Sequence, residues 1–400
     1  LGCLVIFDDK NFWKWGNPMH ANLTHRERVL RAINHKQPDR VPLDLGSTVN
    51  SSIHIEGYIP LAKHFGIQPK KEIIHRMMQT ANVQEEVLQA LDIDFRGIFL
   101  GAPEKSVAEE ISPNEYRDHW GCVRVKPPSS YYYDMIKFPL QGDITISDIL
   151  NYPWPNPDDP GWTKHLRDRL KFIREQTDCA AVLNVPTAFV HVSQYLRGFQ
   201  DWYMDFIRNP YLLETLFDVV LEINSQICKN ILKEIGQEVD IIATADDLGT
   251  QNGLQVSYNH YKKYIHPRLE KYFKLIHDMS PAKILFHSCG SICAIIEDLI
   301  QIGVDILNPV QVSAVGMNPQ DLKNKYGGRL VFWGAIDTQR VLPFGSTEEV
   351  KREVELRIEQ LGRDGGYVLG AVHDIQPDVP INNILTMYRH AREYEPSFSK

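Results

Sequence analysis

In the stretch KILFHSCGSICAIIEDLI, Lys283 to Ile300, an apolar run delivers His287 and Cys289 two residues apart and then turns at Gly290. Side chains at i and i+2 of a strand lie on one face, so both can point the same way from its end. An imidazole and a thiolate form a donor pair suited to Zn²⁺, and a catalytic zinc takes three protein ligands with a fourth position open. A third ligand is therefore needed. His373, which ends GYVLGAVH, is one candidate; Cys293, one helical turn beyond Cys289, is the other and is expected to pack against the body of the protein instead. His-x-Cys is a short motif, and the plain alternative is a core thiol beside a hydrogen-bonded imidazole.

Carboxylates offer a second chemistry. In TADDLGTQNG, Asp246 and Asp247 end an apolar run on opposite faces, so one at most reaches a site directly, for catalysis or substrate binding, and the other is expected to cap the following helix. Asp337 in GAIDTQR is expected to be an N-cap, and Asn308 in LNPVQ a turn residue first and a ligand contact second. Phe199, Trp202, Tyr203 and Phe206 fall at helical spacing and read mostly as a packing face, with Tyr203 also able to donate a hydrogen bond to a substrate.

These residues sit at the ends of eight short apolar runs: RVPLDLG, FRGIFLG, AAVLNVP, DIIATADD, KILFHSC, DILNPVQ, LVFWGAID and GYVLGAVH. Near-continuous apolar runs indicate strands buried on both faces, and their alternation with helical periodicity indicates repeated βα units. Eight units predict an α/β fold, a (β/α)₈ TIM barrel occupying residues 24–400 as one domain. Its active site lies at the carboxyl ends of the strands, which makes Asp44, Asn184, Asp246, Asp247, His287, Cys289, Asn308, Asp337 and His373 the candidates. Thr24 with Glu27 and Ser346 with Glu349 make capping boxes at predicted helix starts. Residues 101–178, between the second and third strands, do not repeat the unit: an alternating segment, the cluster YYYDM and the Pro-rich YPWPNPDDPGW read as an insertion forming a lid over the barrel mouth. Residues 1–23 read as an N-terminal extension, with Met19 nearer the natural start.

Composition narrows the function classes. With 43% hydrophobic residues the 400-residue chain can build a large core. A formal net charge of −8 without a basic block gives no footing for nucleic acid. No apolar run is long enough for a membrane span, and six scattered cysteines suit a reducing compartment, so a cytoplasmic protein is expected.

The motifs THRERVLRAINHKQPDRVPLDLG, PTAFVHVSQYLRGF, ADDLGTQNG, FHSCGSI, GAIDT and GGYVLGAVHDIQPDVP together resemble the uroporphyrinogen decarboxylase superfamily. The resemblance runs from about Met19 onward and implies the same barrel. The superfamily holds tetrapyrrole decarboxylases and zinc methyltransferases that work with corrinoid proteins, so fold alone does not choose. The decarboxylase uses arginines after its first strand, whereas Val41 to His75 here contains none, and a polyanion would be poorly held. The chain is more similar to the methyltransferases, whose His-x-Cys pair is joined by a third ligand from the last strand, usually cysteine. Here that position is His373, so His287, Cys289 and His373 are the implied Zn²⁺ ligands. One thiolate fewer leaves zinc the stronger Lewis acid, better suited to an ether oxygen. HDIQPDVP further resembles relatives that demethylate methoxylated aromatics. The resemblance thus implies O-demethylation of a small aromatic methyl ether, with the methyl group passing to a corrinoid protein partner. A metal-free decarboxylase and a non-catalytic corrinoid- or tetrapyrrole-binding protein are the alternatives.

Overall fold

The computed structural model describes residues 23–399. Seven of the eight expected strands form one parallel sheet: β1 Phe95–Ile98, β2 Ala180–Asn184, β3 Ile241–Ala245, β4 Lys283–His287, β5 Ile306–Asn308, β6 Val331–Ile336 and β7 Tyr367–Ala371. They lie side by side in chain order, and all are buried along their length apart from Lys283. That burial is what the near-continuous apolar runs required.

The eighth run, RVPLDLG, is not a full strand. Only Leu43 forms a bridge, to Leu369 of β7. Pro42 has no N–H for a ladder, and Gly46 turns the chain away at a φ of +77°. The segment still bonds on both sides. Asp44 N–H donates to the Leu369 carbonyl at 3.0 Å, and Asp94 N–H donates to the Leu43 carbonyl at 3.0 Å. The curled sheet therefore has residues 42–44 as the seam between its two edge strands.

Alternate strand residues, Phe95, Val182, Ala243, Leu285, Ile306 and Trp333 among them, form a central cluster that also receives Val29 and Ile33 of helix His25–Ile33. The other set, such as Ile284 and Phe286, packs with the surrounding helices. Both expected capping boxes are present, at Thr24/Glu27 and Ser346/Glu349. The helical stretch that starts at Tyr258 is interrupted by a π turn at Tyr261–Ile265 before Leu269 and its neighbours continue in His266–Met279. Pro267 lacks an N–H and its ring crowds the carbonyl four residues back, which falls inside that turn.

Between β1 and β2 stand four short antiparallel strands, Glu109–Ser112, Glu115–Arg117, Val123–Val125 and Asp134–Lys137. Helix Leu166–Gln176, inside the 101–178 stretch, packs on β1 and β2 and so belongs to the βα repeat. No helix among the described residues is long and apolar enough to cross a membrane. The expected N-terminal extension lies, except for Leu23, outside the described residues.

Asp44, one of the strand-end candidates, is fully buried and accepts a hydrogen bond from Trp333 Nε1 at 2.9 Å. Burial raises its pKa to about 6. Because the folded value lies above the unfolded one, folding favours the protonated acid; the penalty is absent at low pH and complete above about pH 6. Asp44→Asn is accordingly expected to raise the melting temperature by a few degrees at pH 8 and by little at pH 4, which thermal scans at the two pH values would check.

Candidate metal centre

The inward alternation that fills the sheet's interior, continued one step, places Asn184, Ala245, His287 and Asn308 at the carboxyl ends of β2 to β5. In the parallel register His287 stands opposite Asn308. The consequence is a 2.5 Å contact between His287 Nδ1 and Asn308 Oδ1. An amide oxygen accepts only, so the proton sits on Nδ1 and the Nε2 lone pair is free, which is how a second residue orients a metal-binding imidazole. Burial lowers the His287 pKa to about 4, so the ring is neutral at neutral pH.

Cys289 Sγ lies 3.4 Å from that Nε2, and the His373 ring stands edge-on to His287 at 5.6 Å between centroids. The ligand atoms of all three lie within 4.8 Å of one another. Tetrahedral zinc, with bonds of ~2.05 Å to nitrogen and ~2.3 Å to sulfur, holds such atoms about 3.3–3.6 Å apart. The N/S spacing already matches, and the donor set of two imidazoles and one thiol fits zinc chemically. Burial, and then the Asp247 and Asp374 charges, push the Cys289 thiol well above its usual range. Only a cation would stabilise its thiolate there.

The two aspartates divide as their alternation requires. Asp246 is fully buried, and its carboxylate accepts the N–H groups of Phe189, Val190 and His191 at 2.9, 3.1 and 2.8 Å. It caps helix Val190–Arg197, which precedes it in the chain, and not the following helix. Both Asp246 oxygens accept backbone N–H groups, so of the two aspartates it is the one that caps, and Asp247 is the one that faces the His287/Cys289/His373 cluster. Asp247 faces the candidate ligands: its Oδ1 accepts the Cys289 N–H at 2.7 Å and lies 3.9 Å from His287 Nε2. Its Oδ2 is 3.4 Å from His191 Nε2. Burial opposes ionisation, but the His191 hydrogen bond and the His191 and His287 charges hold Asp247 well below the usual carboxylate range.

Residues 140–394 match the family model of uroporphyrinogen decarboxylase (URO-D), well over half of the chain. The chain belongs to the uroporphyrinogen decarboxylase family. All three candidate ligands fall inside the matched region of this uroporphyrinogen decarboxylase family member. Among solved structures, a methyltransferase from Methanosarcina mazei is similar with a TM-score of 0.60 and 19% identity, covering 93% of this chain and 99% of that one. At that identity the likeness is one of fold. No curated protein matches the sequence.

Within this family member the other candidates are placed apart from the ligands. Tyr203 is 38% exposed, and its hydroxyl donates to Gln255 Oε1 at 2.9 Å; only through Gln255, whose Nε2 donates to the Asp247 carbonyl, does it touch the site. In this structure its hydroxyl supports Gln255, and a hydrogen bond from it to a substrate stands as an expectation. Trp202 and Phe206 are buried as expected of a packing face, while Phe199 is exposed. Asp337 caps the next turn, accepting from Gln339 and Arg340 N–H groups. Asn184 bridges the Ser47 and Ile98 carbonyls. Cys293 is half-buried and packs against the helix-side core, with distant sulfur contacts to Ser291 and the Val315 carbonyl.

Sequence reasoning missed His191, and it ranked Asn308 as a turn residue before a ligand contact. Asn308 orients His287, which the adjacent-strand register could have revealed. His191, in the quoted PTAFVHVSQYLRGF, stands between Asp246 and Asp247, at 3.6 and 3.4 Å. Asn308→Leu keeps the branched heavy-atom shape but frees the His287 tautomer, and is expected to weaken zinc binding about 10–100-fold, measured by competition with a chromophoric chelator.

Proposed function

We propose that the chain is a zinc-dependent methyltransferase that moves the methyl group of a methoxylated aromatic to the cobalt of a corrinoid protein. The observation that carries this reading is the convergence of His287, Cys289 and His373 at the mouth of the curled sheet, with ligand atoms within 4.8 Å. Zinc bound there would supply a Lewis acid for the ether oxygen, making the phenolate a better leaving group.

The chain's own residues fix the geometry this needs. Asn308 holds the His287 ring in the liganding tautomer, and Asp247 ties down the Cys289 backbone. His191, braced by both aspartates, offers a proton store beside Asp247. The insertion is the lid: His54 contacts the carbonyl of Tyr131, and Tyr132 accepts from Gln376, three residues past His373. These contacts bring the YYYDM cluster to the mouth, where it excludes water from a reactive cobalt. The single domain over residues 24–400 and a cytoplasmic setting belong to the same reading.

The experiment mixes the full chain, zinc, a methoxylated phenol and a reduced corrinoid protein, and follows the cobalt absorbance. Methylation that depends on His287 supports the proposal. A negligible rate in wild type across a substrate panel, equal to that of His287→Ala, sinks it. The family's name favours a rival, decarboxylation without metal, which predicts carbon dioxide release that survives chelators.

A further inference from the structure

Strand Val123–Val125 of the insertion carries Arg124 inward; its side chain is only 5% exposed. Guanidinium has five N–H donors. Arg124 spends one on oxygen, Nε to Asp118 Oδ2 at 3.0 Å, and one on the Met77 thioether, a weak acceptor. Its Nη2 donates to no group among the described residues. The other arginines buried as deeply find more oxygen: Arg28, Arg96 and Arg197 each make three or more hydrogen bonds to it, although Arg197, like Arg124, makes none through Nη2. A buried guanidinium left with spare donors is a group awaiting an anion.

Its position supplies the context. Arg124 lies over the Tyr195 ring at 4.8 Å, and Tyr195 stacks on His191 at 5.9 Å and 17°. His191 reaches Asp247 at 3.4 Å, and Asp247 holds the Cys289 N–H. A continuous wall of side chains thus runs from the guanidinium to the metal ligands. His75 completes the surroundings, its ring feeling the charges of Arg124, His191 and His373.

We propose that Arg124 anchors a carboxylate on the substrate's ring, so that the substrate class is a methoxylated benzoate and not a neutral aryl ether. The inference rests on the methyltransferase reading for the ether, and adds the acid. Nη2 is the donor left for the carboxylate, and the ring would lie alongside the Tyr195–His191 pair between anchor and metal ligands. Arg124 is a binding residue, with Asp118 as its competing partner.

The test measures binding without any corrinoid protein. Zinc-loaded full-length chain is titrated calorimetrically with 4-methoxybenzoate and with its neutral isostere 4-methoxybenzamide. Wild type is expected to prefer the carboxylate by about tenfold or more, as a charge-assisted hydrogen bond would give. Arg124→Gln is expected to abolish the preference at unchanged zinc content, and Asp118→Asn to increase it. Equal binding of the two probes, binding of neither, or a preference that survives Arg124→Gln overturns the proposal. If Arg124→Gln does not fold, a preference that fails to rise in Asp118→Asn overturns it as well. Selective binding without methyl transfer would sink the methyltransferase reading alone. Methyl transfer from neutral ethers as fast as from benzoates would sink the anchor alone.

Discussion

Cys289→Ala is expected to leave the folded chain without bound zinc and to lower methyl transfer about a hundredfold or more. The magnitude follows from what lesser changes do: removing a residue that merely orients a ligand costs ~10–100-fold, and Cys289 is itself a ligand in this reading. It is the only sulfur donor in the cluster, so its loss leaves two neutral imidazoles, a weaker and less zinc-selective pair. The fold is expected to tolerate the change. Cys289 is only partly buried, its N–H to Asp247 is a backbone bond that alanine keeps, and the substitution removes a single thiol sulfur. Metal analysis, thermal unfolding and the cobalt assay on one preparation check this. A variant with full zinc and wild-type rate would exclude Cys289 as a ligand.

Asp94→Ala is expected to destabilise the chain by about 3–5 kcal/mol, enough to impair folding at 37 °C. Asp94 is fully buried beneath the sheet and holds three groups at once: Arg28 Nη1 at 2.7 Å, Arg40 Nη1 at 2.7 Å and the Leu43 N–H at 2.7 Å. Alanine would strand two arginines of which one keeps Asp39 and the other only Asp92. It would also release the seam segment, since Leu43 is the residue that bridges to β7. Denaturant titration would check the value; a loss below 1 kcal/mol would mean that residues 42–44 do not hold the sheet's edges together.

Much of this was legible in the sequence, and the exceptions have physical causes. The seven strands of the sheet were readable because burial on both faces demands apolar runs that no exposed segment imitates. RVPLDLG looked like the eighth, yet Pro42 and Gly46 limited it to a bridge, which apolar content does not reveal. The alternation of Asp246 and Asp247 gave one inward and one outward carboxylate, but not which helix the outward one would cap, since that depends on packing across units. His287, Cys289 and His373 were picked out because their donor chemistry is rare, and the fold brings their ligand atoms within 4.8 Å of one another. Asn308 was read as a turn residue because an amide has no distinctive chemistry until a neighbouring strand sets it beside an imidazole. Arg124 lay in a segment whose short alternating strands show no sign of which face turns inward. For Tyr203 the sequence shows an aromatic hydroxyl on an amphipathic helix, and only the folded chain reveals its partner, Gln255.

The central claim is that two histidines and one cysteine hold zinc at the mouth of this sheet. Zinc K-edge absorption spectroscopy on chain purified without chelators tests it most directly. The expected result is about one zinc per chain, with one sulfur at ~2.3 Å and two imidazole nitrogens at ~2.0 Å. The sulfur shell should vanish in Cys289→Ala and one nitrogen should be lost in His373→Ala. A chain that binds no zinc, or whose zinc has no sulfur neighbour, would contradict the account.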